Sequence, residues 1–176
     1  MIKLISVSDQ QVEELLALAK HTFTEAFQKQ NSPENFNLYM RQAFHPTVLL
    51  EQLRHKDIKY YFISLEQQTV GYIKINENSA QSEQFDHPSI ELERFYIQSQ
   101  FQGQKIGEQV LKKVVQMAKD SGVAFLWLGV WEKNDKAIRF YERHGFKKFG
   151  THPYFLGNDK QTDYLMKVDL TLPLPS

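Results

Sequence analysis

Residues 90–131 constrain the fold of this chain more than any other stretch. Residues 90–97 read as a strand and a Gln- and Gly-rich turn follows. Ile106, Val110, Leu111, Val114, Val115 and Ala118 then recur at helical spacing over residues 105–121, ending near Gly122. Residues 123–131 form a nearly continuous apolar run, the pattern of a strand buried on both faces. Strand, crossover helix and strand are the connection that parallel pairing requires, because a tight turn cannot reach a parallel neighbour. The first strand carries an irregularity. Ile90 and Leu92 share one face, whereas Phe95 and Ile97 fall in the opposite phase. Side chains alternate strictly along a strand, so the change at Glu93-Arg94 marks a bulge or a change of environment.

The rest of the chain supplies the other layers. Residues 2–7 alternate like a strand, and Ser8 or Asp9 can cap the stripe of Val12, Leu15, Leu16, Ala19 and Phe23. Ser32 before Pro33 starts a second helix, and a third follows His45-Pro46 through Leu53. Residues 59–65 and 70–76 read as a hairpin, followed by a polar connector over residues 77–89. Asn134 caps a helix through Tyr141, closed by His144-Gly145, and residues 146–149 and 163–170 read as final strands. No repeat or linker divides the chain, so residues 1–176 are expected to form one α/β domain with a mixed sheet.

Composition removes several kinds of chemistry. The absence of cysteine excludes disulfides, thiol nucleophiles and Cys-based zinc sites. Six histidines show no paired ligand spacing, so no metal is expected. Lys plus Arg and Asp plus Glu both number 21, which leaves no global field for nucleic acid. The N-terminus lacks the apolar run of a secretion signal, and no run reaches the ~18 residues of a membrane span. A cytoplasmic protein with no membrane partner is expected.

Two segments carry the chemistry. Gln102, Gly103, Gln104, Lys105, Ile106 and Gly107 occupy a strand-to-helix turn, where unpaired backbone N–H groups and the helix dipole favour an anion. The turn matches neither a Walker A loop nor G-x-G-x-x-G. Asn134, Ala137, Phe140, Tyr141, Gly145 and Phe146 form the second segment, each explicable alone as cap, packing or helix stop.

Together, Q-x-x-x-x-G after a strand and N-x-x-A-x-x-F-Y-x-x-x-G-F about 30 residues later resemble the GCN5-related N-acetyltransferase (GNAT) superfamily. The chain further resembles PaiA-type polyamine N-acetyltransferases in KQNSPENF (29–36), NSAQSE (78–83), LERFYI (92–97), LWLGVWEKN (126–134), AIRFYERHGF (137–146) and GNDKQTDYLM (157–166). One position departs from the superfamily's Q/R-x-x-G-x-G/A pattern: Lys105 stands where the middle glycine belongs. A right-handed Lys105, as at a helix start, would keep its N–H donor and add a cation near a pyrophosphate.

The resemblance implies a mixed, mostly antiparallel sheet with helices on both faces and a splayed parallel pair that binds coenzyme A. It implies acetyl-CoA as co-substrate, with Phe95, Tyr96 and Ile97 offering backbone groups to the pantetheine arm and residues 102–107 holding the pyrophosphate. Asn134 and Ala137 complete the cofactor set, and Tyr141 matches the general acid at sulfur. Glu93 and Glu91 are both candidates for the base, directly or through water. A polyamine, spermidine or spermine, is the implied acceptor. Glu25, Glu83, Asp86, Glu132 and Asp159, with Tyr72 and Tyr154, are candidates for its ammonium groups. A protein or peptide amine, an amino-sugar, or a non-catalytic acetyl-CoA sensor are the alternatives, and the oligomeric state is left open.

Overall fold

A computed structural model describes residues 1–171. Its elements run β1 (Ile2–Ser6), α1 (Val12–Phe27), α2 (Pro33–Ala43), α3 (Pro46–Arg54), β2 (Ile58–Leu65), β3 (Gln68–Glu77), β4 (Ser89–Ile97), α4 (Ile106–Asp120), β5 (Phe125–Trp131), α5 (Asp135–Arg143), β6 (Lys147–Leu156) and β7 (Asp159–Asp169). The strands form one seven-stranded sheet in the order β1-β2-β3-β4-β5-β7-β6. All pairs are antiparallel except β4 with β5, joined through α4 as the crossover reading requires.

Local chemistry explains the boundaries. The Ser32 hydroxyl accepts from the Asn35 N–H at 3.3 Å, with Pro33 at the first position of α2. Asn134 accepts from the Ala137 N–H at 3.2 Å and so caps α5. The two faces of the sheet are covered by different helices. Val110, Leu111 and Val114 of α4 pack with Ile73, Leu126 and Leu128 on one side. Leu15 and Phe23 of α1, Phe36 of α2 and Leu49 of α3 pack with Phe62 and Tyr72 on the other. Burying both faces is the main driving force for this architecture.

The irregularity in β4 is a bulge. Lys74 of β3 faces Arg94, while the next residue, Ile75, faces Leu92, so Glu93 is the extra residue. The parallel pairing is correspondingly short: Ser89 with Phe125, Ile90 with Leu126 and Glu91 with Trp127. Beyond Glu91 the two strands part and leave a wedge in the middle of the sheet.

Two regions differ from the sequence expectation. The final strands are longer than residues 146–149 and 163–170, because β6 and β7 form a complete hairpin turning at Gly157 (φ +62°). Pro153 lies within β6, which is tolerable because β6 is an edge strand and needs no N–H on its outer side. Residues 77–89 are anchored as well: Gln81 accepts from the Trp127 indole at 2.7 Å, and Ser82 bonds Glu91. Among the described residues no helix is long and apolar enough to cross a membrane.

Candidate active site

The wedge between β4 and β5 opens into two connected spaces. One is a cavity of about 180 Å³ on the side of α1 and α2, walled by Phe23, Phe27, Tyr39, Tyr96, Trp131 and Tyr154, with Glu93, Arg94, Gln161 and Asp163 supplying polar groups. The other is a groove of about 660 Å³ running past residues 95–97 to the start of α4. Phe27, Phe95, Tyr96, Asn134, Ala137 and Tyr141 line both. A group seated in the groove therefore meets a group seated in the cavity beside Tyr141.

The groove collects the residues of the two sequence segments. Phe95, Tyr96, Ile97, Gln102, Gly103, Lys105, Ile106, Gly107, Asn134, Ala137 and Tyr141 all line it. Gln104 does not; its amide donates to the Gln100 carbonyl at 3.4 Å on the surface. Lys105 also departs from expectation. Its backbone is left-handed, φ 59° and ψ 14°, and Gly103 before it is left-handed too at φ 79°. The turn must reverse sharply to enter α4, and tertiary packing imposes the αL geometry at a cost of about 1–2 kcal/mol for a side chain with a Cβ. Lys105 remains a cation beside the N-terminus of α4, joined along the groove by Lys136 and Arg143. Free N–H groups, three cations and a glycine at position 107 suit a pyrophosphate and its extended arm.

Tyr141 sits at the junction, only 9% exposed, its ring held by Phe140 and Phe146 at centroid distances of 5.3 and 5.5 Å. Burial pushes its hydroxyl pKa above the ordinary tyrosine value, so the group keeps its proton throughout the physiological range. That is the state a proton donor needs.

The bulge separates the two glutamates that simple alternation would place on one face. Glu93 lines the cavity and contacts Lys74 Nζ at 2.5 Å and Asn76 Nδ2 at 2.5 Å, with Arg94 Nε at 3.7 Å. Burial alone would raise its pKa, but Lys74 and then Arg94 outweigh that and hold it below the usual carboxylate value. Glu91 is not brought to the cavity. It is 3% exposed and accepts from the Ser82 hydroxyl at 2.6 Å, the Ser82 N–H at 2.8 Å and Asn76 at 3.0 Å. Burial raises the Glu91 pKa, against the Ser82 hydroxyl, yet its oxygens are already engaged in tying the connector to β4.

Of the other acceptor candidates only Tyr154 reaches the cavity, where its hydroxyl bonds that of Tyr39. Tyr72 is fully buried below it. Glu25 lies in the groove and holds the Ser99 hydroxyl and N–H at 2.5 and 3.0 Å, which lowers its pKa despite partial burial. Glu83 accepts or shares a proton with His152 at 2.9 Å, and Asp159 accepts from Gln161 at 3.0 Å. Glu132 and Asp86 line neither space. Sequence reading misses Tyr39, Gln161 and Asp163 as cavity residues, whereas Trp131, read from sequence as core or slot lining, does line the cavity. Alternation along β7 would have placed Gln161, Asp163 and Leu165 on a common face, had the strand been extended past residue 163.

Comparison with known proteins agrees with this geometry. Residues 12–146 match the acetyltransferase (GNAT) family model. The chain is 32% identical to an uncharacterized N-acetyltransferase of Lactobacillus delbrueckii subsp. lactis, covering 94% of this chain and 96% of that protein. A spermine/spermidine N(1)-acetyltransferase of Bacillus subtilis is 37% identical over 57 residues, which is 32% of this chain and 38% of that protein. Among solved structures, the PaiA N-acetyltransferase of Thermoplasma acidophilum in complex with coenzyme A superposes with a TM-score of 0.76 at 20% identity, covering 96% of this chain and 99% of that one.

Proposed function

Because the chain belongs to the acetyltransferase (GNAT) family, and is therefore an N-acetyltransferase that uses acetyl-CoA, we propose that its acceptor is a primary amine of a linear polyamine such as spermidine or spermine. The observation that carries this reading is the cavity itself. An aromatic-walled space of about 180 Å³ holding the Glu93 carboxylate meets the groove at Tyr141. That volume is below the roughly 300–1,000 Å³ of a drug-sized site, which favours a narrow aliphatic arm over a multi-ring amino-sugar. Aromatic faces accept methylene chains and ammonium groups alike. The short match to a spermine/spermidine acetyltransferase supports the same class.

Acetyl-CoA supplies an activated acetyl group on a thioester sulfur. The chain's own residues then have three tasks. Residues 95–97, the turn from Gln102 to Gly107 and Asn134 hold the cofactor along the groove. Glu93, kept ionised by Lys74 and Arg94, draws the substrate ammonium to the junction and orients it. Tyr141 keeps a proton ready for the departing sulfur. The whole chain acts as one domain in this scheme, with a cytoplasmic setting and no nucleic-acid partner.

The acceptor class is tested by following thiol release from acetyl-CoA with a thiol-reactive dye. The panel is spermidine, spermine, putrescine, a lysine peptide and an aminoglycoside. With no cysteine, the protein adds no thiol background. Turnover is expected with spermidine and spermine. Turnover confined to the peptide or the aminoglycoside would discard the polyamine assignment, and silence with retained acetyl-CoA binding would favour a sensor.

The groove assignment makes a separate prediction. A Cβ on Gly107 would lie 3.5 Å from the Phe140 ring and 3.7 Å from Ile97 Cδ1, which is ordinary contact. The extra carbons of Gly107→Leu have to enter the groove that Phe140 and Ile97 line. Coenzyme A affinity is expected to fall about 10- to 100-fold by calorimetry, the equivalent of an overpacking cost of roughly 1–3 kcal/mol. Unaltered affinity would remove position 107 from the cofactor site.

A further inference from the structure

Glu93 can hold an ammonium but is poorly suited to deprotonate it. Two cations keep it ionised, and an alkylammonium of pKa about 10.4 surrenders its proton reluctantly to so weak a base. Glu91 is walled off by Ser82 and Asn76. Yet the reaction releases a proton inside a largely buried site. Three side chains on the other flank of the wedge are unused by the scheme above. Asp163 of β7 lines the cavity and is 8% exposed. Its Oδ2 faces His152 Nε2 of β6 at 3.6 Å, and His152 Nδ1 lies 2.9 Å from Glu83 Oε1. The Glu83 side chain is 38% exposed. The three groups thus run in line from the cavity to solvent, through both nitrogens of one imidazole.

The fold makes room for this line. His152 and Asp163 are directly paired residues of the β6–β7 hairpin, and they lean over Gly129 of β5. A Cβ on Gly129 would lie 3.2 Å from both Asp163 Oδ2 and His152 Nε2, tight enough that one of the two side chains would have to give by a few tenths of an ångström. The charged groups facing the ring are Glu83 from the connector and Asp163 from β7; β5 contributes only the glycine.

We propose that Asp163, His152 and Glu83 form a proton exit relay, in which Asp163 passes a proton from the substrate ammonium straight on to His152, the accepting base, and His152 carries it to Glu83 at the surface. With Nδ1–H donating to Glu83, the Nε2 lone pair is directed toward Asp163. A proton arriving at Nε2 is matched by one leaving Nδ1. The neutral amine then forms the C–N bond as the C–S bond breaks. Its second proton replaces the one Tyr141 delivers to sulfur, giving amide, thiol and one released proton. The Asp163 carboxylate, 3.6 Å from Nε2, raises the His152 pKa above the ordinary imidazole value of about 6.5, against burial and with help from Glu83. The ring is therefore a closer match to an amine than a lone carboxylate is. Asp163 touches the acceptor; His152 and Glu83 are positioning residues that act through it.

The relay rests on the amine-acceptor reading, and its test separates the two. With spermidine, His152→Gln is expected to lower kcat/KM about 10²-fold near pH 7. The loss should shrink as pH approaches the amine's own pKa of about 10.4, where substrate arrives deprotonated. Asp163→Asn should behave likewise. A loss equal at every pH, or no loss, overturns the relay. So does a higher KM for spermidine in Asp163→Asn with kcat and butylamine turnover untouched, which would mark Asp163 as an anchor for a distal ammonium. A second measurement needs no turnover. The His152 ring signal, assigned by difference with His152→Gln, is titrated by NMR in the intact protein. Its pKa should fall in both Glu83→Gln and Asp163→Asn, and an unchanged value refutes the relay. A wild-type protein inactive toward every amine would count against the acceptor reading alone.

Discussion

Tyr141→Phe is expected to lower turnover about 10²- to 10⁴-fold while acetyl-CoA affinity stays near that of the wild type. The substitution removes one oxygen and leaves the ring, whose contacts with Phe140 and Phe146 hold the start of the junction in place. On the proposed role, what would be lost is a proton donor that burial keeps protonated and neutral well past pH 7. The expected loss corresponds to roughly 3–5 kcal/mol of barrier, on the scale of about 1.4 kcal/mol for each tenfold in rate. Steady-state kinetics with saturating acetyl-CoA and a direct binding titration separate the two quantities. Wild-type turnover in the phenylalanine variant would mean that sulfur departs without help from this hydroxyl. A parallel loss of affinity would mean that Tyr141 serves binding.

The second large effect is structural. Gly71→Ala is expected to cost about 3 kcal/mol, the upper end of overpacking penalties. In a chain of this size that lowers Tm by roughly 6–12 °C, at about 2–4 °C per kcal/mol. Gly71 of β3 lies opposite Ile97 of β4. A methyl there would run into the Tyr96 carbonyl oxygen and sit 3.0 Å from Ile97 Cα. Both are backbone atoms, so no rotamer change relieves the clash and β4 itself must shift. Because Tyr96 and Ile97 also line the groove, coenzyme A affinity should fall with stability. Calorimetric melting checks the first effect and a binding titration the second. An unchanged Tm would show that the β3–β4 ladder can yield without loss.

Much of the site could be read from residue order, and the failures share a cause. The phase change at Glu93-Arg94 is visible in sequence because a bulge shifts every later apolar residue to the other face, and the structure places the extra residue at Glu93. Asn134 and Ser32 are visible because caps are local. Lys105 was not. Its handedness depends on how the turn is forced into α4, and nothing in QGQKIG distinguishes an αL lysine from an αR one. The β6–β7 hairpin was underread because Pro153, Gly157 and Asn158 look like loop residues, and only the edge position of β6 makes the proline acceptable. With that hairpin shortened, His152 and Asp163 could not be seen as partners. Glu91 and Glu93 looked equivalent by alternation, until the bulge turned one toward the cavity and left the other against Ser82.

The three residue pairs shared by β4 and β5 have a consequence for the lifetime of the protein. Along residues 92–97 and 128–131, backbone groups that a complete sheet would bond to one another face a gap instead. On the proposed cofactor site, coenzyme A would bring amides of its own to that gap and favour the folded chain, so occupancy would add to the free energy of unfolding. At a concentration about 100 times Kd the gain is about 2.7 kcal/mol, or close to a hundredfold fewer openings to a protease. Resistance of the chain to proteolysis is therefore expected to rise with coenzyme A concentration, and digestion at concentrations below and far above Kd would read the difference directly.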